Sequence, residues 1–454
     1  MSFSKNKISL TRNEYASNMG MFLIGTFSMT QIHVIGNIGI SEFVVFIIAP
    51  FYFFSEYRHM ARTGFLAFIS LTFLSLAGCC LSAYCNKTPM PYFLRGFAAP
   101  YGILAFTIVM HRLMRINLDS GKYYLLGNAL SMIINVFVFQ YGAEVDGLAG
   151  GEYGVEAVAG IVNSPIFWIG RLKPWVMLPI AGWYLETPFI YSFLAPIAFA
   201  LFCMITTISG RSAAITLVFS SFLIFLGRKK RNSMIFLKKQ FFLIVVLLAV
   251  GVIGLKITYS VCAANGLLGY ESQQKYLAQT RGNDSLLSIL MGGRMGTFVG
   301  LFACFDKPII GHGSWALDTN DYVESFLLKY GTQEDFVQHI KNQEYLRRSG
   351  MPDARLLPCH SHLVGFWAWY GILGLIFWLY VIWVYVRQLK DYMHIVPQWF
   401  GLFAALIPSA FWGILFSPFA GRHSTPFLVG YCLFAKAIAE GKVFLPRRML
   451  QKID

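Results

Sequence analysis

The sequence predicts an all-α, polytopic membrane protein with about twelve transmembrane helices. Hydrophobic residues make up 56% of its 454 residues, whereas charged residues make up only 13%. Apolar stretches of roughly 20 residues recur along the whole chain, and a helix needs about that length to cross the hydrocarbon core of a bilayer. These stretches are continuous rather than alternating, so we expect helices and not the strands of a barrel.

Each apolar stretch is assigned to one predicted span. The spans are residues 18–36, 40–56, 63–84, 92–110, 122–140, 154–170, 178–208, 212–227, 241–260, 363–386, 398–416 and 425–440. A second apolar run follows the first almost at once, so we interpret the first as a retained helix and not as a cleaved signal peptide. The glycine-rich region 141–186 is expected to hold two crossings, or else an interfacial or re-entrant helix.

The formal net charge of +15 does not indicate a nucleic-acid-binding protein. Many of the basic residues stand in short clusters between apolar segments, which is typical of cytoplasmic loops. With the cluster at 228–231 in the cytoplasm, both termini also lie there. The other residues expected on that side are Arg58, Arg62, Arg112, Arg115, Arg171, Lys173, Arg387 and Lys390.

This topology divides the chain into three parts. Residues 1–260 hold transmembrane helices 1 to 9, and residues 363–454 hold the C-terminal transmembrane helices and a cytoplasmic tail. Residues 261–362 form a large periplasmic loop of mixed polarity. A loop of that length is seldom structureless, so we expect it to be partly helical and to carry the chemistry.

Two arginines near the outer surface are candidate ligands for an anion. Arg211 begins the span after Ser209 and Gly210, and Arg294 is flanked by Gly292 and Gly293. A guanidinium at a helix N-terminus is suited to binding a diphosphate. An interfacial arginine that reaches toward lipid headgroups would show the same pattern.

Three histidines complete the set of candidate site residues. His360 and His362 close the periplasmic loop immediately before an apolar run, and His312 lies between two glycines in a predicted turn. A histidine in such a place is either a structural polar group or a general base. His362 and His312 are considered as accessory residues.

The cysteines do not indicate a metal site. The chain has eight cysteines, with no CxxC pair and no zinc-ribbon spacing. Two alternatives involve Cys359: a thiol nucleophile, or a metal site that also includes the two neighbouring histidines. No recognised spacing supports either of them. A disulfide between two of Cys262, Cys304 and Cys359 is an alternative if their loop faces an oxidising compartment.

In order, these pieces resemble the superfamily of O-antigen ligases and O-antigen polymerases, which are glycosyltransferases of the bacterial envelope. The stretch SGRSAAITLVFSSFLIFLG is similar to the family's arginine-led helix, and GGRMGTFVGLFACFDKPIIGHG is similar to its second arginine segment. His360 and Ser361, nine further residues, Gly371, two residues and Gly374 match the ligase signature at every position. The resemblance covers residues 205–385.

The resemblance implies a fold, a reaction and a location. Members transfer a glycan from a polyprenyl diphosphate, such as undecaprenyl diphosphate, to an acceptor sugar hydroxyl at the periplasmic face of the inner membrane, without metal or nucleotide cofactor. Arg211 and Arg294 are then expected to bind the diphosphate. His360 is expected to take the acceptor proton, and attack opposite the leaving group inverts the anomeric carbon.

Three functions fit these expectations. An O-antigen ligase uses lipid A-core as acceptor, whereas an O-antigen or exopolysaccharide polymerase uses another carrier-linked glycan. The signature favours the ligase. A transporter or flippase of lipid-linked glycans is the alternative from a different class, but its charges are expected at the bilayer midplane on broken helices.

Overall fold

The structure of the chain is a computed structural model. It describes residues 11–28, 30–33, 37–134, 172–206, 211–229, 254, 257, 260–267, 273, 276–277, 280, 294–331, 337, 340, 356–417 and 422–444. Two predicted spans, at 154–170 and for the most part at 241–260, therefore lie outside the described residues.

The fold is almost entirely helical. The helices of the N-terminal half are α1 Arg12–Thr26, α2 Ile40–Arg62, α3 Phe65–Cys85, α4 Met90–Ile116, α5 Gly121–Ile133, α6 Lys173–Gly182, α7 Phe189–Thr206 and α8 Arg211–Lys229. Those of the C-terminal half are α9 Met295–Asp306, α10 Tyr322–Tyr330, α11 His362–Tyr370, α12 Ile372–Arg387, α13 Phe400–Phe416 and α14 Ser424–Ala439.

Within the described part of the chain, five helical segments are long and apolar enough to cross a membrane. They are Ile40–Arg62, Phe65–Cys85, Met90–Ile116, Ile372–Tyr392 and Pro397–Phe416. These segments confirm the helices predicted at 40–56, 63–84, 92–110 and 398–416, and they are compatible with a membrane protein. The single span predicted at 363–386 is wrong, because the chain is divided at Gly371 into α11 and α12, and only α12 belongs to an apolar segment long enough to cross. The expected total of twelve spans stays a prediction.

The N-terminal region differs from the predicted span at 18–36. Helix α1 begins at Arg12, where Thr11 and Glu14 form a reciprocal capping box, and it ends at Thr26. Strands β1 Gln31–His33 and β2 Asn37–Gly39 follow as an antiparallel pair. The all-α prediction therefore holds for the architecture but not for this hairpin.

The single span predicted at 178–208 is wrong. Helix α6 ends at Gly182 and α7 begins at Phe189, with a turn between them in which the Thr187 side chain donates to the Trp183 carbonyl oxygen at 2.7 Å. Hydropathy is high on both sides of this turn, which is why the sequence pattern joined the two helices. Pro188 lacks the N–H that would continue a helix through the turn.

Helices α8 and α13 pack antiparallel and provide the frame for the site. Ser220 of α8 donates to the Ala405 carbonyl of α13 at 3.3 Å. Further along, a Cβ added to Gly227 would collide with the Phe400 ring. The bundle therefore has two ends: the basic end, at Lys229 of α8 and the start of α13, and the site end, at Arg211 of α8 and the end of α13.

A buried carboxylate organises the basic end. Glu56 of α2 is fully buried and lies 2.9 Å from Arg112, 2.8 Å from Arg115 and 3.1 Å from the Nδ1 of His111. All three partners are on the last turns of α4. Because one carboxylate holds two guanidinium groups, it fixes the register of α2 against α4.

Lys173 does not lie at the basic end, where the charge rule placed it. Its ammonium donates to Thr216 of α8 at 2.8 Å and to Ser409 of α13 at 2.6 Å. Thr216 is only five residues from Arg211, so Lys173 lies in the half of the bundle toward the site end. The charge rule assumes that a cation stands at the end of a full span, whereas α6 begins part of the way along the bundle.

Replacing Glu56 by glutamine should destabilise the fold. The amide cannot neutralise the two arginines, so we expect a loss of about 1–3 kcal/mol in the free energy of unfolding. Thermal unfolding of the purified protein in detergent measures this. Glu440→Gln is the matched control, because its exposed carboxylate pairs with Lys442 at the surface and should contribute less than about 1 kcal/mol. Equal midpoints for the two variants would contradict the assigned role of Glu56.

Candidate active site

The first turn of α9 packs directly against His360. A Cβ added to Gly296 would collide with Nδ1 of the His360 ring and would lie 3.2 Å from the Pro358 side chain. The neighbouring Thr297 donates its hydroxyl to the His360 carbonyl oxygen at 2.9 Å. His360 is half-buried. The absence of a side chain at Gly296 is therefore what allows the imidazole to lie here.

The second turn of α9 continues the same close packing. A Cβ added to Gly300 would lie 2.8 Å from Val364 and 3.3 Å from the Cys359 sulfur. Gly296 and Gly300 are four residues apart and so share one face of the helix. This face of small residues lets α9 approach the segment 358–364 at backbone distance.

Arg294 stands at the N-cap position of α9, two residues before the glycine that contacts His360. Its guanidinium lies over the ring of Trp412 on α13, with 5.5 Å between the guanidinium carbon and the ring centroid. A cation above an indole face is attracted by the ring quadrupole. Arg294 is thereby positioned between the start of α9 and the site end of α13.

Ser361 attaches the His360 segment to the helices on both sides. Its hydroxyl accepts the backbone N–H of Val364 at 3.1 Å, which caps α11, and donates to the Ile414 carbonyl of α13 at 2.8 Å. Ser361 is fully buried. The cap fixes where α11 begins, and the bond to Ile414 fixes its height on α13.

Arg211 comes to the same end of the bundle. The structure places it at the start of α8, as predicted, and describes its backbone, whereas its side chain lies outside the described part. Two contacts between α8 and α13 set an antiparallel register. Lys173 bridges Thr216 and Ser409, and Ser220 bonds directly to Ala405. Extended toward the start of α8, this register brings Arg211 level with Ile414, to which Ser361 is bonded.

The spacing of the ligase-like signature has a local structural explanation. Its nine unspecified residues, 362–370, coincide with helix α11. Gly371 then has φ of +67°, and a Cβ there would collide with the Ile309 carbonyl. A Cβ on Gly374 would collide with the Phe366 carbonyl. Both glycines let the chain reverse from α11 into α12 at close range.

His362 packs inside the protein and contributes to the fold. Its side chain is nearly fully buried, and its ring lies 5.0 Å from the Trp378 ring. A Cβ on Gly413 would lie 3.3 Å from the His362 ring. His362 and His360 are thus on different sides of the segment, and His360 alone packs beside the first turn of α9.

His312 also holds the fold together. Its backbone N–H donates to the Ala368 carbonyl at 2.7 Å, and its Nε2 is 2.8 Å from the Ala303 carbonyl. Burial lowers the pKa of this imidazole from its ordinary value, although the bond to Ala303 acts in the opposite direction. His312 therefore joins α9 to α11, and these contacts favour a structural role over an accessory catalytic one.

The thiols show neither a disulfide nor an activated nucleophile. All eight cysteines are free, so Cys262, Cys304 and Cys359 are not bridged. Burial raises the pKa of the Cys359 thiol to about 12, so its thiolate is scarce near neutral pH. Among the described residues no group of three or more His, Cys, Asp or Glu side chains could hold a metal ion.

Two aromatic residues after His360 pack against the protein. Tyr370 is buried and donates to the Gly96 carbonyl at 2.8 Å, and Trp367 donates its indole N–H to the Pro308 carbonyl at 2.9 Å. Sequence patterns did not single out Trp412, the partner of Arg294, because one tryptophan in an apolar helix carries no distinguishing signal. The spacing of Gly296 and Gly300 was the available signal for the contact with His360.

A cavity of about 400 Å³ lies at the basic end and not at this site. His59, Arg62, Arg115, Lys122 and Lys442 are among its lining residues. Three of these residues already have carboxylate partners: Arg115 lies 2.8 Å from Glu56, Lys122 lies 3.4 Å from Asp119, and Lys442 lies 2.6 Å from Glu440. The cavity and the candidate active site are therefore separate features at opposite ends of the bundle.

Gly296→Ala should disturb both the fold and the site. The new methyl group has no space beside His360, so we expect a destabilisation of about 1–3 kcal/mol together with displacement of the imidazole. Thermal unfolding measures the first effect. Gly182→Ala is the matched control, since its methyl would meet its nearest atom at 3.9 Å, an ordinary contact. A G296A protein as stable as wild type would mean that the packing of α9 against His360 is not as described.

The comparisons with known proteins do not identify the chain. No family model matches the sequence, and no curated protein matches it either. The geometry of the site therefore carries the functional argument.

Proposed function

We propose that the chain is a bacterial inner-membrane glycosyltransferase of the O-antigen ligase type. It transfers a glycan from a polyprenyl diphosphate carrier to a sugar hydroxyl of an acceptor, with lipid A-core as the acceptor that the signature favours. The reaction inverts the anomeric carbon and uses no metal. The site end of the bundle faces the periplasm, and the basic end faces the cytoplasm.

One observation carries this proposal. The first turn of α9, headed by Arg294, packs against His360 at the end of the bundle where α8 begins with Arg211. These three residues are far apart in sequence and of the types that a diphosphate leaving group and a hydroxyl nucleophile need. A transporter would have no need to group a histidine with two arginines at one end of the bundle.

Arg211 and Arg294 bind the diphosphate of the donor. Negative charge grows on the diphosphate as the anomeric bond breaks, and preorganised cations stabilise that charge more in the transition state than in the ground state. Arg294 is preorganised by Trp412, because the indole face holds its guanidinium in place. The helix N-termini at both arginines add backbone N–H groups of the same polarity.

His360 takes the proton of the acceptor hydroxyl. A neutral imidazole titrates close to the working pH, and general-base help of this kind contributes roughly 10²- to 10⁴-fold in rate. The contacts of Gly296 and Thr297 fix the position of His360. Its place at the site end lets the carrier tail stay among lipids while the sugars react in water.

The decisive experiment is a transfer assay with purified protein in lipid nanodiscs. One tube contains undecaprenyl-diphosphate-linked glycan and lipid A-core, and the other contains the carrier-linked glycan alone. We expect glycosylated lipid A-core in the first tube. His360→Ala should reduce its rate by about 10²-fold or more, because the base is lost.

His59→Ala is the control, since His59 lies at the opposite end and should leave the rate unchanged. Longer carrier-linked chains in the second tube would instead identify a polymerase of the same superfamily. Absence of product in both tubes, or full activity of the His360→Ala variant, would refute the mechanism and favour the transporter.

A further inference from the structure

Lys173 is a cation held between three helices. It is the first residue of α6, and its ammonium donates to the Thr216 hydroxyl at 2.8 Å and to the Ser409 hydroxyl at 2.6 Å. An ammonium has three N–H donors, so these two bonds leave one. Among the residues that the structure describes, no carboxylate lies within ion-pair distance of Lys173.

Within the described part of the chain, this half-buried ammonium bonds to two neutral hydroxyls and interacts with the Cys203 thiol, which is an unusual arrangement. Hydroxyl oxygens solvate the charge without neutralising it, and a charge removed from water is costly unless an anion accompanies it. Ionisable groups in such a position usually mark a substrate or ion site. An anion would neutralise the Lys173 ammonium, and the described part of the protein does not supply one.

Helix α13 places this ammonium next to the candidate active site. Ser409, Trp412 and Gly413 are three and four residues apart and so lie on one face of the helix. Ser409 holds Lys173, Trp412 lies under Arg294, and Gly413 lies beside His362. Lys173 is therefore about one helical turn, roughly 5 Å along the axis, below Arg294.

Helix α8 gives the same placement from the other side. Thr216 is five residues beyond Arg211, so Lys173 lies about 7–8 Å along the axis below the start of this helix. Lys173 and both arginines are positive in sign.

We propose that Lys173 is a third cation of the donor site and binds a phosphate oxygen of the diphosphate, below the oxygens held by Arg211 and Arg294. The assignment rests on the proposed function. A third cation at this position would make the site prefer a diphosphate. The second phosphate group of a diphosphate reaches Lys173, whereas a monophosphate reaches only the two arginines.

The test is a binding measurement with defined lipids. A short-chain polyprenyl diphosphate and the matching monophosphate are titrated into the detergent-solubilised protein, its Lys173→Gln variant and its Lys173→Arg variant. We expect the wild type to bind the diphosphate at least about tenfold more tightly than the monophosphate. The Gln variant should lose that preference, and the Arg variant should retain most of it. Lys122→Gln, at the basic end, should behave as the wild type.

A second measurement uses the wild-type protein and so does not depend on whether a variant folds. Inorganic pyrophosphate should slow the acetylation of Lys173 by an amine-reactive reagent, as measured by mass spectrometry, while Lys122 reacts at an unchanged rate. Acetylation of Lys173 at the same rate with and without pyrophosphate, or an unchanged diphosphate preference in a folded Lys173→Gln variant, would overturn the assignment.

The outcomes separate this assignment from the proposed function. A wild type that transfers glycan, with a Lys173→Gln variant that binds and transfers equally well, would leave the glycosyltransferase intact and remove Lys173 from its site. A wild type that binds the diphosphate through Lys173 but transfers nothing would leave the anion site intact and refute the transferase.

Discussion

The close packing of α9 against the segment that carries His360 is the constraint on which the site depends. Gly296 and Gly300 remove the side chains that would hold the helix away, so the imidazole lies within contact of the first turn. Thr297 then bonds the His360 backbone. Any larger residue at Gly296 would move either the His360 ring or the arginine that begins this helix. The geometry of the candidate site thus follows from the residue without a side chain at position 296.

The same segment is attached to the rest of the bundle through α13. Ser361 bonds to Ile414, Arg294 lies over Trp412, and Lys173 bonds to Ser409. One helix therefore sets the axial position of His360 and of two cations, and its antiparallel packing on α8 sets that of the Arg211 backbone. Because these groups lie on secondary structure rather than on independent loops, few degrees of freedom separate them.

Sequence patterns predicted the long apolar helices and the start of α8, because hydropathy and a charged helix end are local signals. The nine-residue spacing of the signature is likewise local, as it is the length of α11. The break between α6 and α7 was missed because both sides are apolar. Lys173 was misplaced because the charge rule treats every cation as the end of a full span. Contacts such as Trp412 with Arg294 join distant segments and leave no local pattern.

An experimental structure in nanodiscs with a bound polyprenyl diphosphate would test the central claim most directly. The account predicts phosphorus density at the site end, within about 4 Å of the Arg294 guanidinium and beside His360, with the lipid tail leaving between helices. Density for the diphosphate in the cavity at the basic end, lined by Arg62 and Arg115, would contradict it.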